Sequence, residues 1–237
     1  MILETLKKKW AEYLLEMIVI TAGVLGAFAL NNWNDLRKGN VKSANFLERL
    51  YEDAVSINID LENAIDYMEG NLKGSIMVQE ALEKGQIAQE ELKYFNNYLR
   101  RYYQFQLTVK DANTYKEMLS AGEMALIKNP WIRGAFASLS DNREFIIEVN
   151  RANHNVMLEN AVTFERYVRY QFNYAGTDSM RSIPIYNFES MQGDDLFINK
   201  ISRQSKAWWE ILSMLKSHNS AVIQLKDSIE LEMNRFE

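Results

Sequence analysis

Apolar residues in the first third of the chain follow two different patterns. Residues 14–30 read LLEMIVITAGVLGAFAL, apolar throughout apart from Glu16 and Thr21. Further on, Leu47, Leu50, Ala54, Ile57, Leu61, Ala64 and Met68 follow one another at steps of 3-4-3-4-3-4, the seam that one helix offers to another. The uninterrupted run predicts a helix that is apolar all round, and the seam predicts one that is apolar along a stripe. The first proline is Pro130, so nothing forces a break between them, and the first helix is expected to run directly into the second. Gly70 and Gly74 are read as bracketing its end.

The pattern continues with helices predicted over residues 71–83 and 88–103, the second rich in rings (Tyr94, Phe95, Tyr98, Tyr102, Tyr103). Thr114-x-x-Glu117 has the spacing of a capping box, opening a short helix that Gly122 can close. Asn129 before Pro130 is a cap followed by proline at the first helical position. Asp141-x-x-Glu144 offers another start, for a helix running to Tyr174. Residues 175–193, with Gly176, Pro184 and Gly193, form the one long loop-like stretch. Its Ile183, Ile185, Tyr186 and Phe188 place it against the bundle or in a short strand. The last helix, residues 195–235, carries Trp208, Ile211, Leu215, His218, Val222, Leu225, Ile229 and Phe236 on one stripe. The expected fold is all-α, an N-terminal transmembrane helix running into an antiparallel bundle of long helices. An elongated coiled-coil oligomer is the alternative.

The membrane expectation rests on spacing more than on hydropathy. Trp10 and Tyr13 precede the apolar run and Trp33 follows it; the two tryptophans are 23 residues apart, about 34 Å at ~1.5 Å per helical residue. That matches a hydrocarbon slab of roughly 30 Å with an aromatic ring at each headgroup level. Residues 1–11 then form a short cytoplasmic N-terminus, 12–33 the transmembrane helix, and 34–237 a helical extramembrane domain. Asn31, Asn32 and Asn34 offer amides where water and phosphates begin, an interfacial collar around Trp33. Two readings compete. Lys7, Lys8 and Lys9 with Ala27-Phe28-Ala29 also fit a cleaved signal peptide, although Glu16 interrupts its apolar region. The run is also just long enough for a buried helix of a soluble protein. Lys7–Lys9 before the run nearly balance Arg37, Lys38 and Lys42 after it. The compact lysines favour an inner-membrane protein with its N-terminus in the cytoplasm and its domain in the periplasm.

Within the run, Ala22 and Gly26, then Gly23 and Ala27, are small residues four apart, which let helix backbones approach closely in lipid. Glu16 lies near enough to Trp10 to reach headgroups or water. On a helix–helix interface it would instead pair with a neighbour or line a polar path.

YLLE at residues 13–16, the apolar run, and NNWN at 31–34 with Asp35, Arg37 and Lys38 resemble a Bacteroidota family of single-pass membrane proteins of unknown function. The run YKEMLSAGEMALIKN at 115–129 resembles that family's second signature: a tyrosine, a leucine, then Ser-x-Gly and an apolar pair before asparagine. The likeness covers about the first 40 residues and residues 111–137. The chain departs from it at Ala29, where the family often carries glutamine, and at Gly26, where a larger apolar residue is usual. The resemblance implies an envelope protein of Gram-negative bacteria and brings no activity with it.

Composition narrows the function mainly by exclusion. Hydrophobic residues make up 47% and charged residues 25% of the 237, the balance of a globular chain. Two prolines and ten glycines favour long helices. The net charge of −5 argues against nucleic acid as a partner. With no cysteine, disulfides, thiolate metal sites and cysteine nucleophiles are excluded. The sequence carries no phosphate loop, HExxH or G-x-S-x-G elbow, so neither catalysis nor a cofactor or metal is expected. His154 and His218 sit singly in predicted helices, and His218 falls on an apolar stripe, where a hydrogen-bonded core histidine is the commoner outcome. Asp194 and Asp195 suit the N-terminus of the last helix better than a cation. Of Trp208 and Trp209, one ring enters the core and one lies to the side. The expected function is a non-enzymatic scaffold or partner-binding module, self-associated or joined to a membrane-protein partner in the bilayer. Its seam is Leu47, Leu50, Ile57 and Leu61. A ligand-sensing relay, or an oligomeric pore using Glu16, is the alternative.

Overall fold

The structure is a computed structural model that describes residues 2–102, 107–174 and 180–235. Tyr103, Gly176 and Phe236 fall outside these, as do the side chains of residues 1–9 and 173–181. The described residues form, in order, α1 (Ile2–Lys84), α2 (Leu92–Arg101), α3 (Asn113–Ser120), a 3-10 turn (Met124–Leu126), α4 (Pro130–Glu165), β1 (Val168–Tyr174), β2 (Met180–Tyr186), α5 (Phe188–Gln192) and α6 (Asp195–Met233). The fold is all-α apart from one hairpin.

The apolar run and the seam are one helix, as the absence of proline predicts: α1 is 83 residues without a break, about 125 Å long at ~1.5 Å per residue. The expected end at Gly70 and Gly74 is corrected, and residues 71–83 are the last turns of α1 rather than a separate helix. Glycine in a helix interior costs only about 1 kcal/mol relative to alanine, which tertiary packing on both sides of the pair outweighs. The stop comes at Gly85, which takes a φ of +74° while the Gln86 amide donates to the Ala81 carbonyl at 3.2 Å. These are the left-handed residue and the reaching-back bond that close a helix.

The seam residues are buried, with Ala64 partly so, and what buries them is α6. The two helices run antiparallel. Asn58 Nδ2 donates to Asn219 Oδ1 at 2.8 Å, Lys216 pairs with Glu69 at 2.6 Å, and Ser205 Oγ donates to Ser75 Oγ at 2.9 Å. The adjoining part of the same face of α6 takes α4, again antiparallel, with Lys200 donating to Asn160 and Gln204 meeting Met157. The last helix is thus the central one, packed on both α1 and α4 along one broad face. Its stripe of Trp208, Ile211, Leu215, Val222, Leu225 and Ile229 is buried.

At the end nearer the chain's start, α3 and the 3-10 turn fill the groove between α1 and α4. Tyr115 there stacks on Phe136 with ring centroids 5.3 Å apart. Gly122 closes α3 as expected, at φ +70°. The capping box does not form; α3 starts after Ala112 without a side-chain cap, and the Thr114 amide instead donates to Asp53 of α1 at 2.7 Å. Asn129 does cap α4, accepting from the Trp131 amide at 3.0 Å. Asp141 and Glu144 lie inside α4 on its exposed side, polar positions rather than a start.

At the far end, α2, the hairpin and α5 form a second core. The predicted helix to Tyr174 is corrected here: α4 ends at Glu165 and residues 168–174 pair with 180–186, Val168 opposite Tyr186 and Tyr170 opposite Pro184. Val168 and Tyr170 turn inward while Arg169 and Gln171 face out, the two-residue alternation of a strand. The short strand anticipated around Ile183–Tyr186 is β2. Tyr102 stacks on Phe164 with centroids 3.7 Å apart. Tyr170 donates to the Leu99 carbonyl at 2.6 Å and Tyr186 to Asn96 at 2.8 Å, fastening α2 down.

Gly70 tests the continuity of α1. A Cβ added there meets nothing within 4 Å, so Gly70→Ala is expected to raise stability by about 0.5–1 kcal/mol through helix propensity alone. A left-handed glycine at a helix end gives the opposite sign. Equilibrium urea unfolding of the two forms decides it.

Candidate functional site

No side chain between residues 10 and 42 is buried; the first that is buried is Ser43. Among the described residues, α1 is the one helix long and apolar enough to cross a membrane, and no part of its apolar stretch is buried. The reading of this run as a core helix of a soluble domain is therefore not met. Trp10, Tyr13 and Trp33 stand exposed at the two ends of the run. Asn31 and Asn32 are exposed and Asn34 half-buried. Asn31 Nδ2 donates to Asp35 at 3.2 Å, and the Arg37 guanidinium lies 5.9 Å from the Trp33 ring centroid. Glu16, Ala22, Gly23, Gly26 and Ala27 are all exposed, and a Cβ at Gly23 or Gly26 would touch nothing. The structure brings none of these five against another element.

Where α1 enters the bundle it is braced. Ser43 Oγ donates to the Leu126 carbonyl at 2.7 Å and Lys128 to Asn40 at 2.9 Å, while Lys42 pairs with Glu123 and Arg49 with Glu117. The predicted seam residues Leu47, Leu50, Ile57 and Leu61 are spent inside the chain on α6, so they lend no support to a coiled coil between copies.

Sequence reasoning missed a cleft of about 480 Å³ between α1 and α2, walled by Gly70, Gly74 and Met77 on one side and by Tyr94, Tyr98 and Arg101 on the other. Gly74 sets how closely the helices approach: a Cβ there would lie 3.3 Å from Tyr98 Cβ. Gly70, one turn earlier, leaves the space open. The signal was present as two glycines four residues apart on one helical face, which were read as a terminus. Burial pushes the Tyr98 phenol well above its ordinary value, so it stays neutral and donates to Gln204 at 2.7 Å.

The remaining candidates serve the fold. Asp194 caps α6, accepting from the amides of Leu196 at 2.8 Å and Phe197 at 3.2 Å and from the Tyr167 hydroxyl at 2.6 Å. The Tyr167 bond first, then the two amides, hold its carboxyl below the usual range. Among the described residues no group of three His, Asp or Glu side chains is placed to hold a metal ion. Trp208 is buried and Trp209 is 57% exposed. His218 is buried beside a void of about 20 Å³ that Arg143 also lines, room for about one water. Comparison with protein-family models, curated proteins and solved structures finds no match to this chain.

Burial, and then the Arg143 charge, hold the His218 pKa below its ordinary value near 6.5. The unfolded chain therefore takes up a proton that the folded chain refuses. The stability this represents is whole above about pH 6.5 and is lost as pH falls through the folded value. Melting temperature is expected to drop between pH 7.5 and 5.5, and His218→Leu to flatten that slope; an equal slope in both forms refutes the assignment to His218.

Proposed function

We propose that this chain is a non-enzymatic, membrane-anchored helical module of the bacterial envelope. In this reading it binds a protein partner, as an oligomer or as one subunit of a membrane complex. The bare apolar half of α1 carries the reading. Leu15, Ile18, Ile20, Leu25, Phe28 and Leu30 are among about ten large apolar side chains exposed along it. At roughly 2 kcal/mol for each one left in water, their exposure costs ~20 kcal/mol, more than the ~5–15 kcal/mol that holds a domain folded. Lipid removes that cost along all faces of a helix at once, as no single packed neighbour does.

On this reading residues 12–33 cross the bilayer. Trp10 and Tyr13 sit at one headgroup layer, and Trp33 with its asparagines sits at the other. The segment from Trp33 to Ser43 is then a stalk of about 15 Å that lifts the bundle clear of the lipid. Lys7–Lys9 favour an N-terminus in the cytoplasm, with the bundle in the periplasm, at the inner membrane. With the seam occupied by α6, the surface for another helix is the small-residue face of Ala22, Gly23, Gly26 and Ala27. A second reading, an extracytoplasmic ligand-sensing relay, draws support from the cleft, because one of its walls belongs to the same helix as the proposed span.

Fractionation and native mass spectrometry test the proposal. The full chain is expected to stay with membranes through alkaline carbonate and to leave them only in detergent, whereas residues 40–237 are expected as a folded, soluble monomer. In mild detergent the full chain is expected to carry a second copy or another membrane protein, and Gly23→Leu with Gly26→Leu to release it. Full chain recovered in buffer after lysis sinks the anchor; a strict monomer with nothing bound sinks the partner.

A further inference from the structure

We propose that the cleft between α1 and α2 is a binding site for a small organic anion, a carboxylate carried on a flat apolar body. The cleft's volume of about 480 Å³ lies within the ~300–1,000 Å³ of pockets that hold small molecules. Its charge is lopsided. Lys73 on α1 and Arg101 on α2 line opposite walls, and neither has an ion-pair partner among the described residues. Glu91 is the one acid that lines the cleft, against these two cations. A guanidinium presents two parallel N–H groups that match a carboxylate, with the ammonium opposite as a second positive charge.

The rest of the wall is apolar and aromatic. Met77 lines one wall and the buried Tyr98 and the exposed Tyr94 line the other, side chains suited to the faces of a planar ligand. Asn71, only 7% exposed, lines the same cleft, and among the described residues its Nδ2 has no acceptor, a cost of about 1–3 kcal/mol. Gly70 completes the picture. It sits in a helix interior at a cost of about 1 kcal/mol, yet a Cβ there would meet nothing, so close packing does not explain it. It keeps the opening clear. The site stands on the bundle alone, whether or not α1 crosses a membrane.

The test uses the purified full chain in detergent, with 1-naphthoate, indole-3-acetate and phenylacetate as probes beside their neutral amides and inorganic phosphate. Isothermal titration and saturation-transfer NMR read the binding. At least one carboxylate is expected to bind with a Kd of about 1 mM or tighter, and its amide roughly tenfold weaker, with phosphate silent; Arg101→Met is expected to cost roughly tenfold. Gly70→Leu is expected to abolish binding while circular dichroism and melting temperature show the fold retained. No saturable binding by any of the three carboxylates at about 10 mM overturns the proposal. So does equal binding of acid and amide, or binding that survives Gly70→Leu; binding of phosphate alone overturns the flat apolar body.

Discussion

The antiparallel packing of α1 on α6 is the contact on which the rest of the structure depends. Leu47, Leu50, Leu61 and Met68 on one helix and Ile211, Leu215, Leu225 and Ile229 on the other are essentially removed from solvent. Most other elements attach to one of these two helices: α4 to α6, α3 and the 3-10 turn to the start of the packed part of α1, and α2 to its end, while the hairpin packs on α2 and on the end of α4. Truncating a core leucine of this kind costs about 2–5 kcal/mol, a large fraction of what holds a domain folded. The length of the pairing also fixes the division of α1. Ser43 stands about where α6 runs out at Met233, and upstream of it α1 has no neighbour to bury it.

Apolar seams fix which faces meet but tolerate sliding, and the polar contacts between α1 and α6 remove that freedom. Asn58 with Asn219 and Ser75 with Ser205 are paired at hydrogen-bond distance near the middle and far end of the seam. Displacing the helices by one turn breaks both pairs. Ser75 and Ser205 keep bonds to carbonyls of their own helices and Asn58 keeps Glu62, but the buried Asn219 loses its partner, at about 1–3 kcal/mol for an unsatisfied group. Tyr98 with Gln204 ties α2 to α6 in the same way, and Tyr170 and Tyr186 tie α2 to the hairpin. The cleft owes its shape to that fixation: α2 is held by tyrosines on its inner side and kept at a distance from Gly70 on its outer side.

The long elements were legible in the sequence because a sustained period survives local noise. Six steps of 3-4-3-4-3-4 and the stripe from Trp208 to Ile229 each span many turns, and Asn129-Pro130 and Asp194 stated helix starts in the chemistry of their own side chains. What was not legible turned on residues whose meaning depends on a neighbour distant in sequence. Gly70 and Gly74 carry no mark that separates a terminus from a close approach; Tyr98 decides it. Thr114 has the spacing of a cap, but Asp53 supplies the acceptor from another helix. Residues 168–172 alternate for too few positions to stand out from the apolar stripe before them, and only pairing with β2 makes them a strand. The seam itself was legible as a seam but not as to its partner, since the same leucines suit a second chain or a later helix of this one. The cleft left only the glycine pair as a trace, because a cavity is a property of two helices.

The stalk between Trp33 and Ser43 joins two regions held by different means, packing on one side and, on the proposed reading, lipid on the other. A helix this short is unstable alone, because forming its first turn is the costly step and isolated helices below ~12–15 residues are marginal. Here no nucleation is needed, since helix already exists at both ends and the stalk only propagates it. Gly39 weakens the middle by about 1 kcal/mol. Immediately beyond it, Asn40, Lys42 and Ser43 are tied to Lys128, Glu123 and the Leu126 carbonyl, so the helix is gripped within a turn of its weakest point. A torque or tilt applied at the bundle therefore meets a helix that resists bending rather than a linker that absorbs it. That continuity makes the single-helix construction of the cleft and the apolar run mechanically meaningful, since whatever shifts the far end of α1 against α6 must also turn or displace the segment that emerges from the bundle.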